Sequence, residues 1–372
     1  MIPLLDLRRS FDRLDRELMD AARRVLRSGR YVLGPEVQRF EKEFAGFCGV
    51  SRSVGVASGT DALELSLRAA GIGPGDRVAT VSFTFLATLD AITQVGAEPL
   101  WVDIDPATYT LDPADLRRRI ASLSRADRAR LKAVLPVHLY GHPADMDGIG
   151  AAAKEFGLKI IEDAAQAAGA QWKGRPVGSL GSAGCFSFFP TKTLGSFGDA
   201  GAVVTDSAVF AKKIQSLRVH GRAEDGTQKL HGRNSRLEEL QAALLRVKLR
   251  VLPEWLKRRR EIAAAYTAQL GAVSGILCPR EAAGARHAYC LYVLRSRRRD
   301  RIQTALRKKG IAAQVYYDRP VHAQPIYRGR FRRVCLPETE RACREVLALP
   351  IFPEMRSEEI RTVVREVRQA AA

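Results

Sequence analysis

Short apolar runs alternate with longer stretches whose apolar positions recur at helical spacing. Ser53–Ala57 (SVGVA) is one such run, and Ser58-Gly59-Thr60-Asp61 opens a helix that extends to about Ala70. GIGPGD (Gly71–Asp76) reads as a turn. Val78–Val81 follows as a strand, Ala87–Val95 as a helix, and Leu100–Ile104 as a strand closed by Asp105-Pro106. The rhythm repeats with a strand at Lys132–His138, a helix near Asp145–Phe156, and a strand at Lys159–Glu162 ending in Asp163. Such alternation predicts an α/β fold with a mainly parallel sheet between helices. Ligands of such sheets bind at the carboxyl ends of the strands.

The pattern changes near Leu252-Pro253. A long helix, about Ser235 to Leu252, is expected to stop at the proline, with a second helix after it. Then come a strand (Ala288–Leu294), a helix (Arg299–Lys309) and another helix near Glu340–Leu347. This arrangement predicts a large domain, residues 1–250, and a smaller C-terminal α+β domain, residues 251–372.

Composition narrows the function classes. The chain has 372 residues, 46% of them hydrophobic, as expected of a globular protein. No apolar run approaches the ~20 residues of a membrane span. The N-terminus mixes charges into its first ten positions, which speaks against a secretion signal. Cys48, Cys185, Cys278, Cys290, Cys335 and Cys343 are scattered without a CxxC pair. They read as reduced thiols of a cytoplasmic protein, with no metal site. The net charge is +19, and basic runs occur at Arg117–Arg119, Lys257–Arg260 and Arg297–Arg301. These runs read as solvated faces, because stacking aromatics do not interleave with them as nucleic-acid binding requires. No nucleic-acid or membrane partner is expected.

Candidate chemistry gathers at strand ends. Lys192 lies in FSFFPTKTLGSFGDAGAVVT with no acidic neighbour before Asp199. A lone loop lysine ordinarily reaches solvent, but an amine apart from carboxylates also suits a Schiff base with a carbonyl. Asp163, at the end of a strand, either caps the next helix or holds a protonated pyridine nitrogen. Ser58, Gly59 and Thr60 form an ordinary N-cap, and equally a phosphate cup at a helix N-terminus. Ser187 could add a hydroxyl there. Phe85 packs in a core or stacks on a flat ring. Together these are what a pyridoxal phosphate (PLP) enzyme requires.

In order and spacing the chain resembles the DegT/DnrJ/EryC1/StrS sugar aminotransferases. The resemblance rests on SGRYVLGPEVQRFEKEFA, SGTDALELSLRA, SFTFLATLDAI, GAEPLWVDIDPATYTLDP, PVHLYGHPADMD, IEDAAQAAGA, FSFFPTKTLGSFGDAGAVVTD, NSRLEELQAALL and LALPIFPEM, in that order. It implies PLP fold type I, with a mainly parallel seven-stranded sheet in the large domain. It implies that Lys192 carries the cofactor, that Asp163 partners the pyridine nitrogen, and that Gln166 lies on the ring-hydroxyl side. Gly59, Thr60 and Ser187 match phosphate-side residues, and Phe85 matches the stacking ring. Asn234 matches an asparagine that reaches the phosphate from a neighbouring subunit, so a homodimer with a shared site is implied. Arg236, Tyr317 and His322 align with substrate-side positions. Two departures stand out. Ala168 replaces a frequent histidine, and Tyr316-Tyr317-Asp318 replaces a frequent His-Tyr-Pro.

The implied reaction moves an amino group from an amino acid, L-glutamate by resemblance, to C3 or C4 of a nucleotide-linked ketosugar. The cofactor shuttles between PLP and pyridoxamine phosphate. Two rivals share the fold. Dehydratases or deoxygenases replace the lysine with histidine, and one subgroup adds a cysteine-bound cluster; Lys192 and the scattered cysteines count against both. A non-catalytic regulator would need no Schiff-base lysine.

Overall fold

The computed structural model describes residues 1–327, 329–331 and 334–371. The chain begins with helices α1 (Leu7–Ser28) and α2 (Pro35–Phe47). Strands and helices then alternate: β1 (Arg52–Val56), α3 (Gly59–Ala69), β2 (Arg77–Val81), α4 (Leu86–Gln94) and β3 (Glu98–Val102). Next come α5 (Pro113–Ala121), α6 (Arg125–Arg130), β4 (Leu131–Leu135), α7 (Met146–Phe156) and β5 (Lys159–Asp163). A small ribbon of β6 (Gln171–Trp172) and β7 (Arg175–Pro176) precedes β8 (Ala183–Ser187), β9 (Gly201–Thr205) and α8 (Ala208–Leu217).

Seven strands make one sheet in the order β1-β9-β8-β5-β4-β2-β3. Only β9 runs against the others, so the sheet is mainly parallel, as expected. Its central strands are buried on both faces, which is why they read as unbroken apolar runs. Successive side chains part to opposite faces. Cys185 and Val203 join a core built with α3, α4, α5, α7 and α8. Phe186, Ala202 and Val204 join one built with α1, α2 and the next long helix, α9 (Glu239–Leu270). Four phenylalanines anchor the second core. Phe44 meets Phe186 and Phe188 edge-on, each at 5.0 Å between centroids, and stacks on Phe40 at 5.5 Å. Phe44→Ala is therefore expected to cost about 3–5 kcal/mol of stability. Urea unfolding checks this, and a loss below about 1 kcal/mol would contradict the packing described.

The expected break at Pro253 does not occur. α9 is one helix of 32 residues with Pro253 inside it. Proline withholds the N–H that would bond the Leu249 carbonyl, at a cost of about 3 kcal/mol. Burial on both sides of it outweighs that cost: Leu249, Leu252 and Trp255 lie in the large core, and Ile262, Tyr266 and Leu270 in the small one. The division expected after residue 250 thus falls within a continuous helix. β10 (Ala285–Arg286) completes the small ribbon. The small core packs β11 (Tyr292–Arg295) against α10 (Arg299–Lys308), β12 (Val346–Leu349) and α12 (Ser357–Ala371). The helix expected at Glu340–Leu347 is α11 (Pro337–Glu345), and its last residues instead begin β12. The N-terminus also reaches this core, since Ile2 bridges Ile311 and the Leu4 carbonyl accepts from the Ile351 N–H. Among the described residues no helix is long and apolar enough to cross a membrane.

Candidate active site

Turns that follow the carboxyl ends of the parallel strands converge on one place. After β1, Ser58 is extended and its Oγ caps α3 by accepting from the Asp61 N–H at 3.1 Å. The Ala62 N–H bonds the Ser58 carbonyl, so the first-turn N–H groups of Gly59 and Thr60 stay outside the helical ladder. They form the positive end of α3. Ser187, the last residue of β8, lies directly against this turn. A Cβ built on Gly59 would stand 2.6 Å from the Ser187 Cβ, and one on Gly201 would stand 2.4 Å from the Ser58 carbonyl oxygen. Both glycines are needed for β8, β9 and the α3 turn to close into a cradle of two N–H groups and a hydroxyl.

Asp163 ends β5 and is buried. Its Oδ2 accepts from Thr88 Oγ1 at 2.8 Å and its Oδ1 from the Ala165 N–H at 3.2 Å. Burial pushes its carboxyl above the usual range, opposed by the Thr88 and Ala165 hydrogen bonds and then by the charges of Lys192 and His138. The Lys192 charge thus favours the ionised form of Asp163. The adjacent Glu162 serves the scaffold, accepting from the N–H groups of Gly178, Leu180 and Gly181 and meeting His138 Nε2 at 3.0 Å.

The Lys192 loop is pinned from below. The Lys192 N–H bonds the Phe189 carbonyl, and Ser196 donates twice to the Phe188 carbonyl. Two residues of α9, two turns apart, hold its far side. Gln241 accepts from the Phe197 N–H, and Lys248 Nζ donates to the Gly195 carbonyl at 2.7 Å. Lys248 also stands 3.9 Å from the Phe197 ring centre, and burial pushes its amine down to about 8. Thr193 donates to the carbonyl of Ala168, whose side chain is buried in the second core. The small residue at this departure from the family pattern is thus packed.

Gln166 and Tyr317 meet across the cleft, with Gln166 Nε2 donating to the Tyr317 hydroxyl at 3.2 Å. The Tyr140 N–H takes Gln166 Oε1 at 2.7 Å, which fixes the amide with its donor end toward Tyr317. The Tyr140 hydroxyl donates to the Tyr316 carbonyl. Burial raises the Tyr317 hydroxyl above the usual phenol range. Phe85 is 54% exposed, and its ring lies 6.3 Å from Tyr317, so it faces the cleft and not a core. His322 is tied to Ser82, whose Oγ accepts from the His322 N–H and meets its Nδ1 at 2.7 Å. Burial lowers the pKa of this imidazole.

Nine of the sequence candidates therefore lie at or around this cleft: Gly59, Thr60, Phe85, Asp163, Gln166, Ser187, Lys192, Tyr317 and His322. Asn234 and Arg236 do not join it. Among the described residues no hydrogen bond links either to the cluster, and Asn234 is exposed beside a backbone bridge to Val219. Their neighbours Arg233 and Ser235 hold Asp61 in the first turn of α3. Thr88, Tyr140 and Lys248 escaped the sequence reading. Only the Thr84-x3-Thr88 spacing, one helical turn, was a usable signal.

The sequence matches the DegT/DnrJ/EryC1/StrS aminotransferase family over residues 12–368. The chain belongs to this family. A dTDP-3-amino-3,4,6-trideoxy-alpha-D-glucose transaminase of Streptomyces venezuelae is 43% identical, covering 100% of this chain and 96% of that protein. A pleiotropic regulatory protein of Geobacillus stearothermophilus is 42% identical over 99% and 98%. The crystal structure of S. venezuelae DesV in complex with a ketimine intermediate superposes with a TM-score of 0.95, at 42% identity over 100% and 98% of the two chains. That of NtdA from Bacillus subtilis, with bound cofactor PMP, gives 0.87 at 30% identity over 96% and 81%. PLP and its aminated form are thus cofactors of the family.

The residues present fit that cofactor. The glycine cradle at α3 has donors for a phosphate, the buried carboxylate suits a protonated ring nitrogen, and the charge of Lys192 acts on that carboxylate. Gly59→Ala is expected to weaken PLP binding by at least about tenfold, because its Cβ would stand only 2.6 Å from Ser187. Titration of the apoprotein with PLP checks this, and unchanged affinity would contradict the cradle.

Proposed function

We propose that this protein moves an amino group from L-glutamate to the keto carbon of a nucleotide-linked sugar, using PLP. The observation that carries the reading is the buried Asp163, held by Thr88 and within electrostatic reach of Lys192, together with the Gly59–Ser187 cradle at the strand ends of the same sheet. When bound, PLP supplies an aldehyde that takes up the amino group and a ring that draws electrons from the reacting carbon. Lys192 Nζ holds the cofactor between turnovers and, once released, carries the proton that must leave and rejoin carbon. Asp163 keeps the ring nitrogen protonated, and the Gly59 and Thr60 N–H groups with Ser187 Oγ hold the phosphate. Phe85 covers a ring face, and Gln166 holds the hydroxyl side. Tyr317 and His322 face the acceptor. A binding-only protein has no use for a lysine placed beside that carboxylate.

The name of the S. venezuelae relative favours C3 over C4 as the aminated carbon. The test supplies L-glutamate with dTDP- or UDP-linked 3-ketosugars and, separately, 4-ketosugars, and follows 2-oxoglutarate formed beyond the one equivalent per site that needs no acceptor. Release with the 3-ketosugar supports the reading. No release with either acceptor overturns it.

A second copy of the chain completes the site in this reading. Among the described residues no side-chain hydrogen bond holds Asn234 or Arg236, and Tyr31, Val32, Phe189 and Phe197 leave exposed apolar surface for a partner. Asn234 then reaches the partner's phosphate, and Arg236 its anionic substrate. Asn234→Ala is expected to weaken PLP retention by about tenfold, the scale of one hydrogen bond to a charged group. Dialysis of the holoenzyme measures it; unchanged retention would mean that the phosphate is held within one chain.

A further inference from the structure

We propose that Thr88, backed by Thr84, is a positioning residue that orients the Asp163 carboxylate and keeps it charged. The inference rests on the reading of Asp163 as the partner of the cofactor ring nitrogen.

The chain of hydrogen bonds has one direction. An ionised carboxylate only accepts, and a threonine has one proton to give. Thr88 gives it to Asp163 Oδ2 at 2.8 Å, so in the 2.9 Å contact between Thr84 and Thr88 the donor is Thr84. The Ala165 N–H occupies Oδ1. Each carboxylate oxygen is thereby held from the protein side, which fixes the plane of the group. Thr84 and Thr88 are 3% and 1% exposed, so water does not compete with either hydroxyl. The threonines flank the start of α4, whose N-cap is Phe85. One helix start therefore sends Phe85 to the ring face and Thr88 to the carboxylate at the ring nitrogen.

The groups facing Asp163 come from four directions. Lys192 approaches from its loop, His138 from the turn after β4, Cys185 from β8 and Tyr317 from the C-terminal part of the chain. Of these four only Lys192 and His138 favour its charge, beside the larger effect of the Thr88 and Ala165 hydrogen bonds and against a burial that opposes it. Removing the Thr88 hydroxyl leaves a buried carboxylate oxygen without its donor, a loss that favours the protonated acid. A protonated Asp163 cannot hold a protonated ring nitrogen.

Thr88→Val keeps the shape and removes the hydroxyl. Two readouts apply to the apoprotein: the carboxyl carbon resonance of Asp163 as a function of pH, assigned with Asp163→Asn, and the PLP dissociation constant at pH 6 and pH 8. The expected result is an upward shift of the Asp163 midpoint and PLP binding weakened by about tenfold at pH 6, less at pH 8. Thr88→Ser is expected to restore both, and Thr84→Val to give a smaller change of the same sign. A structural role alone would lower the melting temperature without moving either pH profile. An unmoved midpoint and pH profile in Thr88→Val, or Thr88→Ser behaving as Thr88→Val, would overturn the proposal. Asp163→Ala separates this from failure of the functional reading. If that variant binds PLP as the parent does, the reading of Asp163 itself falls; if it binds poorly while Thr88→Val keeps the parental profile, only the role of Thr88 falls.

Discussion

Lys192→Ala is expected to lower amino transfer by at least about 10³-fold while leaving the chain folded. The loss is large because one amine both holds the cofactor and moves the proton, and each role alone is worth orders of magnitude. The fold should survive because the loop is held by other groups: backbone bonds to Phe188 and Phe189, and the Gln241 and Lys248 contacts from α9. The Lys192 side chain is half-buried and belongs to no apolar core. Single-turnover release of 2-oxoglutarate measures the effect, with far-ultraviolet circular dichroism as the folding control. Turnover near that of the parent would remove Lys192 from the chemistry.

Asp163→Asn is expected to do two opposite things. Activity should fall roughly 10²–10³-fold, since an amide cannot hold the ring nitrogen protonated. Stability of the apoprotein near neutral pH should rise. Burial places the Asp163 pKa above its unfolded value, so the ionised group costs stability. That cost is absent below the unfolded value, about 3.9, grows as pH rises through the folded value, and is full above it. The stability difference between variant and parent should therefore widen from pH 4 to pH 7. Urea unfolding of both apoproteins across that range checks it. A constant difference, or one that narrows, would contradict the burial argument.

Much of this was legible in the chain, for identifiable reasons. Strands β1 to β5 are short apolar runs, three of them closed by Asp103, Pro136 and Asp163, so periodicity finds them. The two flanks of the Lys192 loop, β8 and β9, are apolar too, but nothing local says that they pair antiparallel. Pro253 misled because its cost is local while the burial that outweighs it comes from two separate cores. The strand β12 hid behind α11 because VLAL continues the apolar pattern of a helix. In the site, the residues named by motif converge where motif and topology agree. Thr88, Tyr140 and Lys248 were missed because each acts through a contact distant in sequence: Thr88 on Asp163, Tyr140 on Gln166 and Tyr316, and Lys248 on Gly195. Asn234 shows the reverse. Its motif is plain, yet among the described residues no hydrogen bond links it to the site.

The most direct measurement is the absorption spectrum of the purified protein with added PLP, before and after L-glutamate. The account predicts a band near ~410–430 nm from cofactor held on Lys192, replaced on adding the amino acid by one near ~325–330 nm from its aminated form. The same addition to Lys192→Ala should show no lysine-bound band. A parent protein that gives no band, or whose band ignores every amino acid, would contradict the assignment of Lys192 and with it the proposed transfer.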